Sequence, residues 1–393
     1  MTTSSEIQKI WEENCPALGN IKFQRKYQLL ENIVGEGSFG TVISAKCRAT
    51  QELRAVKAIR RVNSVSMLSI ELQLLSELGG HFNIVKLFDF YSLNGSVLLV
   101  LEHFPHCNGS SVLFHSKKDL SFSLYYLRNL LSALSYLHAN NYVHRDIKLS
   151  NFLYSPQRNC FRLVDFGLAT YNRSNNEYSR LQAAAAMEKY PECSTCNGMS
   201  SSCMFCRGKQ KRDNYRMVGT PGVRAPELLL GIGLCNPAID IFSCGIVLLS
   251  LLCVKQPFFM PKNEPENIMN LAFLLGSETI ENMAEIEVLC LRYGFDYTNE
   301  NFQPRTSCDA CKNRSFNNSN GVCFCRKDYE TDMFLTGENA TELWTLYVDL
   351  LYRSLEPDRY KRYNADQLLC LIESYDARTK RKRETSSSED IKF

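Results

Sequence analysis

The stretch "YVHRDIKLSN", Tyr142–Asn151, places Asp146, Lys148 and Asn151 within six residues of a turn. A carboxylate can accept a hydroxyl proton, and an ammonium can neutralise a phosphoryl group in transfer. An amide oxygen can bind a divalent cation. A plain polar turn between a helix and a strand has a similar composition, so the segments around it decide the reading. Downstream lies "LVDFGLA", with Asp165, Phe166 and Gly167. Mg²⁺ takes hard oxygen ligands and keeps several waters, so one Asp and one Asn suffice from the protein. Asp165 and Asn151 meet that need.

Upstream, "GEGSFGTV" supplies Gly35, Gly37 and Gly40, followed by Val42. Glycines let a backbone approach phosphate oxygens closely. Taken alone the signal is weak, because a Gly-rich hairpin of any sheet reads the same way. A strand and not a helix follows the glycines, which argues against a dinucleotide-binding turn. Lys57 in "RAVKAI" has apolar flanks, so its head group would emerge from a buried strand. The plain alternative is a solvated surface Lys. Glu71 in "SIELQLL" sits inside a helical pattern, where a solvated face is the plain alternative. As a pair, Lys57 and Glu71 can orient the ammonium toward nucleotide phosphates. Further on, "GTPGVRAPELL" contains Pro226-Glu227, and the apolar "PAIDIFSCGIVLLSLL" follows with Asp240 inside it. That apolar run is short for a bilayer and reads as a buried core helix.

Periodicity gives the organisation. From Tyr27 onward Val, Ile and Ala alternate with polar residues as in strands, interrupted by the helical "SMLSIELQLLSELGG". After Pro105 helices dominate, beginning with "SLYYLRNLLSALSYLHANN". The expected fold class is α+β, a β-rich small lobe followed by an α-rich large lobe, with Cys-bearing insertions. Residues 1–26 read as a polar leader with a short amphipathic piece, and 171–213 and 292–333 as polar surface insertions. The charged, Ser-rich segment 372–393 reads as a disordered tail.

The 393 residues are 45% hydrophobic and 22% charged, an ordinary globular balance. The formal net charge of +3 is too small to imply nucleic-acid binding. Neither direct nucleic-acid binding nor membrane association is expected. "MTTSSEIQKIWEENC" lacks the basic-then-apolar pattern of a secretory signal. Of 17 cysteines, eight fall in two short segments: Cys193, Cys196, Cys203 and Cys206, then Cys308, Cys311, Cys323 and Cys325. Two Cys-x-x-Cys pairs have metal-ligand spacing, so the first set is expected to hold one structural Zn²⁺. The second set is a less regular zinc candidate, and a ligand set shared between the two segments is also open. Loop cysteines without metal are the plain alternative.

The order of Gly-rich loop, strand Lys, helix Glu, HRD, DFG and APE resembles a eukaryotic-type protein kinase over about residues 27–371. The resemblance implies ATP and Mg²⁺ as cofactors, Asp146 as catalytic carboxylate and Lys148 at the γ-phosphate. It implies Asn151 and Asp165 as Mg²⁺ ligands, and Lys57 paired with Glu71 at the α/β-phosphates. Gly35, Gly37, Gly40 and Val42 would cover the nucleotide. Leu101 would be the gatekeeper, with Glu102 to Phe104 the hinge that binds adenine. Asp240 would support the catalytic loop, and Glu227 would pair with Arg362 or Arg359. Lys148 together with "GTPG" resembles Ser/Thr kinases. "YVHRDIKLSNFLY" and "LVDFGLA" resemble the cell division cycle 7-related kinases. That likeness implies a nuclear enzyme acting on the MCM helicase at replication origins with a Dbf-type regulatory subunit. Casein-kinase-like and cyclin-dependent-like kinases are the nearest alternatives. A kinase-like, zinc-bearing binding scaffold is the alternative from another class.

Overall fold

Alternating apolar residues build a five-stranded antiparallel sheet in the first part of the chain. The computed structural model describes residues 15–37, 40–60, 65–172, 218–230, 236–275 and 338–389. The chain divides into two units, residues 1–108 with 150–170 and residues 109–149 with 171–393.

In the first unit the strands are β1 (Tyr27–Gly37), β2 (Gly40–Cys47), β3 (Leu53–Ile59), β4 (Leu87–Leu93) and β5 (Ser96–Glu102). Their order is β1-β2-β3-β5-β4. The register sets Lys57 between Val42 and Leu99, and Ala55 opposite Leu101. Helix α2 (Val65–Leu78) buries Glu71 in one stripe with Leu74, Leu75 and Leu78. A hairpin of β6 (Phe152–Ser155) and β7 (Cys160–Leu163) joins this unit, and Val85 N–H donates to the Leu163 carbonyl at 3.1 Å.

Residues 15–26 were expected to belong to a polar leader. Instead Cys15, Ala17, Leu18 and Phe23 are buried against Ile43, Ala45, Val56, Ala58, Leu98 and Val100. Ala17 N–H donates to Ser96 Oγ at 2.7 Å. Asn20 caps α1 (Ile21–Lys26) by accepting from the Lys22 and Phe23 amides. Four scattered apolar residues among polar ones carry too weak a period to announce this packing.

The second unit is helical: α3 (Gly109–Lys118), α4 (Leu120–Ala139), α5 (Pro226–Leu230), α6 (Ala238–Leu252), α7 (Glu264–Leu275), α8 (Glu338–Ser354) and α9 (Ala365–Glu389). Helix α6 is buried on every side from Ile239 to Leu252, as a run apolar on all faces requires. Its Gly245 lets the end of α8 come close, since a Cβ there would sit 2.6 Å from Ser354 Oγ. Helix α9 packs on α4 through an Arg128–Asp376 ion pair, and Ser135 Oγ donates to Asp366 at 2.5 Å. The tail expected to be disordered from 372 is therefore helical as far as Glu389. No Pro or Gly interrupts it, and its first turns are anchored by buried Leu368 and Ile372. Among the described residues no helix is long and apolar enough to cross a membrane.

Candidate active site

In the first unit, the Lys57 ammonium lies 2.8 Å from Glu71 Oε1 and 2.8 Å from Asp165 Oδ1. Val56 and Ala58 on either side of it belong to the opposite, buried face of the sheet, as strand alternation dictates. Burial works against the Lys57 charge, but the Glu71 and Asp165 carboxylates outweigh it and hold the pKa above the ordinary Lys value. Gly167 closes the group: a Cβ there would stand 3.4 Å from Lys57 Nζ. Asp165 has φ 64°, a left-handed conformation that Asp tolerates better than most side chains.

Asn151 is 5% exposed, and its carbonyl accepts from the Val164 amide at 2.9 Å, which sets Asn151 beside the strand that delivers Asp165. One carboxylate and one amide make a hard-oxygen donor pair, which fits Mg²⁺. No group of three or more His, Cys, Asp or Glu that could hold a metal occurs among the described residues. The two-ligand Mg²⁺ pattern does not call for one.

The glycines pair across β1 and β2, Gly35 with Val42 and Gly37 with Gly40. Gly40 has φ 150°, and a Cβ on it would lie 2.2 Å from the Ala58 carbonyl oxygen, so only glycine fits. Glu102 N–H donates to the Lys86 carbonyl at 2.8 Å, which ties down the start of the segment expected to be the hinge. The Glu102 carboxylate accepts from Arg162 Nε at 2.7 Å, and Phe104 is 6% exposed.

In the second unit, Asp146 is held by three groups. Thr220 N–H and Thr220 Oγ1 donate to Asp146 Oδ1 at 2.8 and 2.7 Å, and Lys148 Nζ lies 2.8 Å from Oδ2. Lys148 also donates to Thr220 Oγ1 at 2.8 Å. Burial pushes the Asp146 carboxyl up, but Lys148 and Thr220 pull it further down, below the ordinary Asp value. The backbone beneath this group is fixed by Asp240, which is fully buried. Its Oδ2 accepts from the His144 amide at 2.8 Å and pairs with His138 Nε2 at 2.9 Å, while Oδ1 accepts from the Arg145 amide at 2.8 Å. Those bonds support Arg145 at φ 69°. Gly219, at φ 92°, brings Thr220 in, since a Cβ there would meet the Arg145 carbonyl at 2.6 Å.

Glu227 pairs with Arg362 and not with Arg359: Nη1 and Nη2 lie 2.7 and 3.1 Å from its two oxygens. The remaining Arg362 donors reach the carbonyls of Ala238, Pro357 and Glu356. Arg224 Nε and Nη2 both donate to the Gly219 carbonyl, and the residue is 8% exposed. Both cysteine segments, Cys193–Cys206 and Cys308–Cys325, lie outside the described residues. Thr220, His138 and Arg162 escaped the sequence reading. Thr220 stands in "GTPG", a usable signal; a lone His on a helix and a lone Arg on a strand give none.

The chain matches the protein kinase domain family over residues 27–371, and it belongs to that family. It is a protein-serine/threonine kinase that uses ATP and Mg²⁺. Among its relatives, "Probable cell division control protein 7 homolog 2" of Encephalitozoon cuniculi is 32% identical over 286 residues, covering 71% of this chain and 79% of that protein. Homolog 1 of the same organism matches equally. "Cell cycle serine/threonine-protein kinase hsk1" of Schizosaccharomyces pombe is 28% identical over 301 residues, covering 68% of this chain and 58% of that protein. Within the kinases, the chain thus falls with the cell division control protein 7 relatives.

Proposed function

We propose that this chain is the catalytic subunit of a replication-initiating kinase. It acts in the nucleus with a Dbf-type regulatory subunit and transfers the ATP γ-phosphate to Ser or Thr of MCM helicase subunits. The observation that carries the reading is the likeness to cell division control protein 7 homologues over most of the chain, joined to a catalytic set with no member replaced.

Each residue has a definable task. Asp146, kept ionised by Lys148 and Thr220, orients the attacking hydroxyl and accepts its proton. Lys148 supplies positive charge for the phosphoryl oxygens, and the hydroxyl of Thr220 holds Lys148 and Asp146 in fixed relation. Lys57, oriented by Glu71, binds nucleotide phosphates. Asn151 and Asp165 would hold Mg²⁺, which supplies charge neutralisation at the phosphates when bound. Most of the rate gain in such transfer comes from positioning and electrostatics, which is what these rigid, buried pairs provide.

Cys193, Cys196, Cys203 and Cys206 bind one structural Zn²⁺ in this reading, with Cys308, Cys311, Cys323 and Cys325 a second candidate set. The zinc-bearing segments would give the regulatory subunit a surface to grip. The test is phosphate transfer to purified MCM subunits by the chain co-expressed with a Dbf-type subunit, beside Asp165→Ala. Transfer that depends on the subunit and is lost in the variant supports the reading. Transfer to generic Ser/Thr peptides with MCM subunits left unmodified overturns it.

A further inference from the structure

Arg162 lies three residues before Asp165, on β7, and has no task in the reaction described above. Two of its contacts lead to the hinge segment. Nε lies 2.7 Å from Glu102 Oε2, and the two side chains are only 24% and 19% exposed. The guanidinium carbon sits 5.3 Å from the centre of the Phe104 ring. Nη1 donates to the Phe161 carbonyl at 2.8 Å, which fixes the guanidinium plane. The strand beneath it is stiff, because the Phe161 ring stacks on Phe152 and Tyr154 at 5.2 and 4.9 Å. One side chain therefore holds the first hinge residue by charge and the third by its ring.

We propose that Arg162 is a positioning residue for ATP, setting the hinge main chain between Glu102 and Phe104 in the geometry that receives adenine. That main chain leaves β5 at Glu102, where the Lys86 carbonyl takes the Glu102 amide at 2.8 Å. Past Glu102 the ladder no longer holds it, and Arg162 takes over. A planar fork is suited to this, since it binds a carboxylate and lies over a ring at once. Without Arg162, the largely buried Glu102 carboxylate loses its cation. It then turns toward water and draws the adjoining main chain with it.

The test uses the full chain, with its regulatory subunit if activity requires one. It compares Arg162→Gln, Arg162→Lys, Glu102→Gln and the Arg162→Gln/Glu102→Gln double variant. Three quantities are read: KM for ATP, kcat at saturating ATP, and the dissociation constant of a non-hydrolysable ATP analogue. The expected result for Arg162→Gln is a KM and analogue dissociation constant raised about fivefold to tenfold, with kcat within about twofold. Arg162→Lys should recover part of the loss by restoring charge. The double variant should bind nucleotide no worse than Arg162→Gln alone, because the stranded carboxylate is gone. A purely structural role would lower the melting temperature and the active fraction without moving the analogue dissociation constant, and that result overturns the proposal. So does a multiplication of the two single effects in the double variant. Binding of the analogue needs no protein substrate, so this outcome is independent of the MCM assignment.

Discussion

Replacing Thr220 with Val tests how the catalytic carboxylate is held. The change keeps size and β-branching, and it keeps the backbone N–H that donates to Asp146 Oδ1 at 2.8 Å. It removes one hydroxyl, which donates to Asp146 at 2.7 Å and accepts from Lys148 at 2.8 Å. A hydrogen bond to a charged group contributes about 1.5–3 kcal/mol. At about 1.4 kcal/mol per decade, the expected fall in kcat is roughly 10- to 10²-fold. The second lost bond does not simply add, because Lys148 keeps its 2.8 Å contact with Asp146.

The pH profile gives an independent sign. Lys148 and Thr220 hold the Asp146 pKa below the ordinary Asp value against the opposing effect of burial. With one donor gone the pKa rises, so the acid limb of kcat/KM should move to higher pH. In the wild type the same depressed pKa stabilises the fold above the unfolded-state value and is lost as pH falls through the folded-state value. Steady-state kinetics from about pH 3 to 8 on wild type, Thr220→Val and Thr220→Ser measure the rate loss and the shift of the acid limb. Ser keeps the hydroxyl and should stay within severalfold of wild type. Equal losses in Val and Ser, or a Val variant at wild-type rate with an unmoved acid limb, would refute the reasoning.

Lys57→Ala should lower kcat/KM on the order of 10²-fold or more, read in a peptide-phosphorylation assay, since the ammonium that both Glu71 and Asp165 hold at 2.8 Å is lost. Arg362→Ala leaves the Glu227 carboxylate buried without its cation, and should cost about 3–5 kcal/mol by denaturant titration. Cys196→Ser should lower the zinc content of the purified protein, measured by elemental analysis under reducing conditions, and weaken regulatory-subunit binding more than nucleotide binding. The purified chain alone should be a weak kinase, with a large gain on adding a Dbf-type subunit in the same assay.

Sequence made the first unit's charges readable for a physical reason. Lys57 stands between Val56 and Ala58 on a strand and Glu71 between Ile70 and Leu72 on a helix, and the two together, as an ion pair aimed at nucleotide phosphates, outweigh the plain reading of two solvated charges. In the structure they are 7% and 3% exposed. Choosing between Arg359 and Arg362 needed coordinates, since both sit in "EPDRYKRYNA". The structure decides it by donor geometry: the Arg362 donors end on Glu227 and on three backbone carbonyls, while Arg359 Nη2 reaches the Tyr360 hydroxyl. Thr220 had a signal in "GTPG", but its partner did not: only the turn at Gly219 brings the hydroxyl onto Asp146. Residues 15–26 stayed hidden because their packing depends on a sheet face formed by residues up to 85 positions away, Cys15 and Val100 among them. Helix α2 and the buried helix α6 were legible from the helical period of one and the long apolar run of the other, whereas the strand order needed coordinates.

The charge count around Lys57 ties its ion pairing to the position of α2. One ammonium faces two carboxylates, Glu71 and Asp165, each at 2.8 Å. Asp165 is the more exposed, its side chain at 34% against 4% for Glu71. It is also the one whose oxygens suit Mg²⁺. When Asp165 turns its charge to a cation, Lys57 keeps a partner only if Glu71 stays in place. A buried ammonium without a partner is strongly disfavoured and tends to lose its proton, and with it the charge that binds phosphate. Glu71 reaches Lys57 from a helix connected to β3 by only the few residues after Ile59, with fourteen positions between the two groups. A small shift of α2 therefore changes the ion pair directly, with no long loop to absorb it. A subunit that fixes that one helix is expected to raise activity, and the Lys57–Glu71 contact is where the gain would be read.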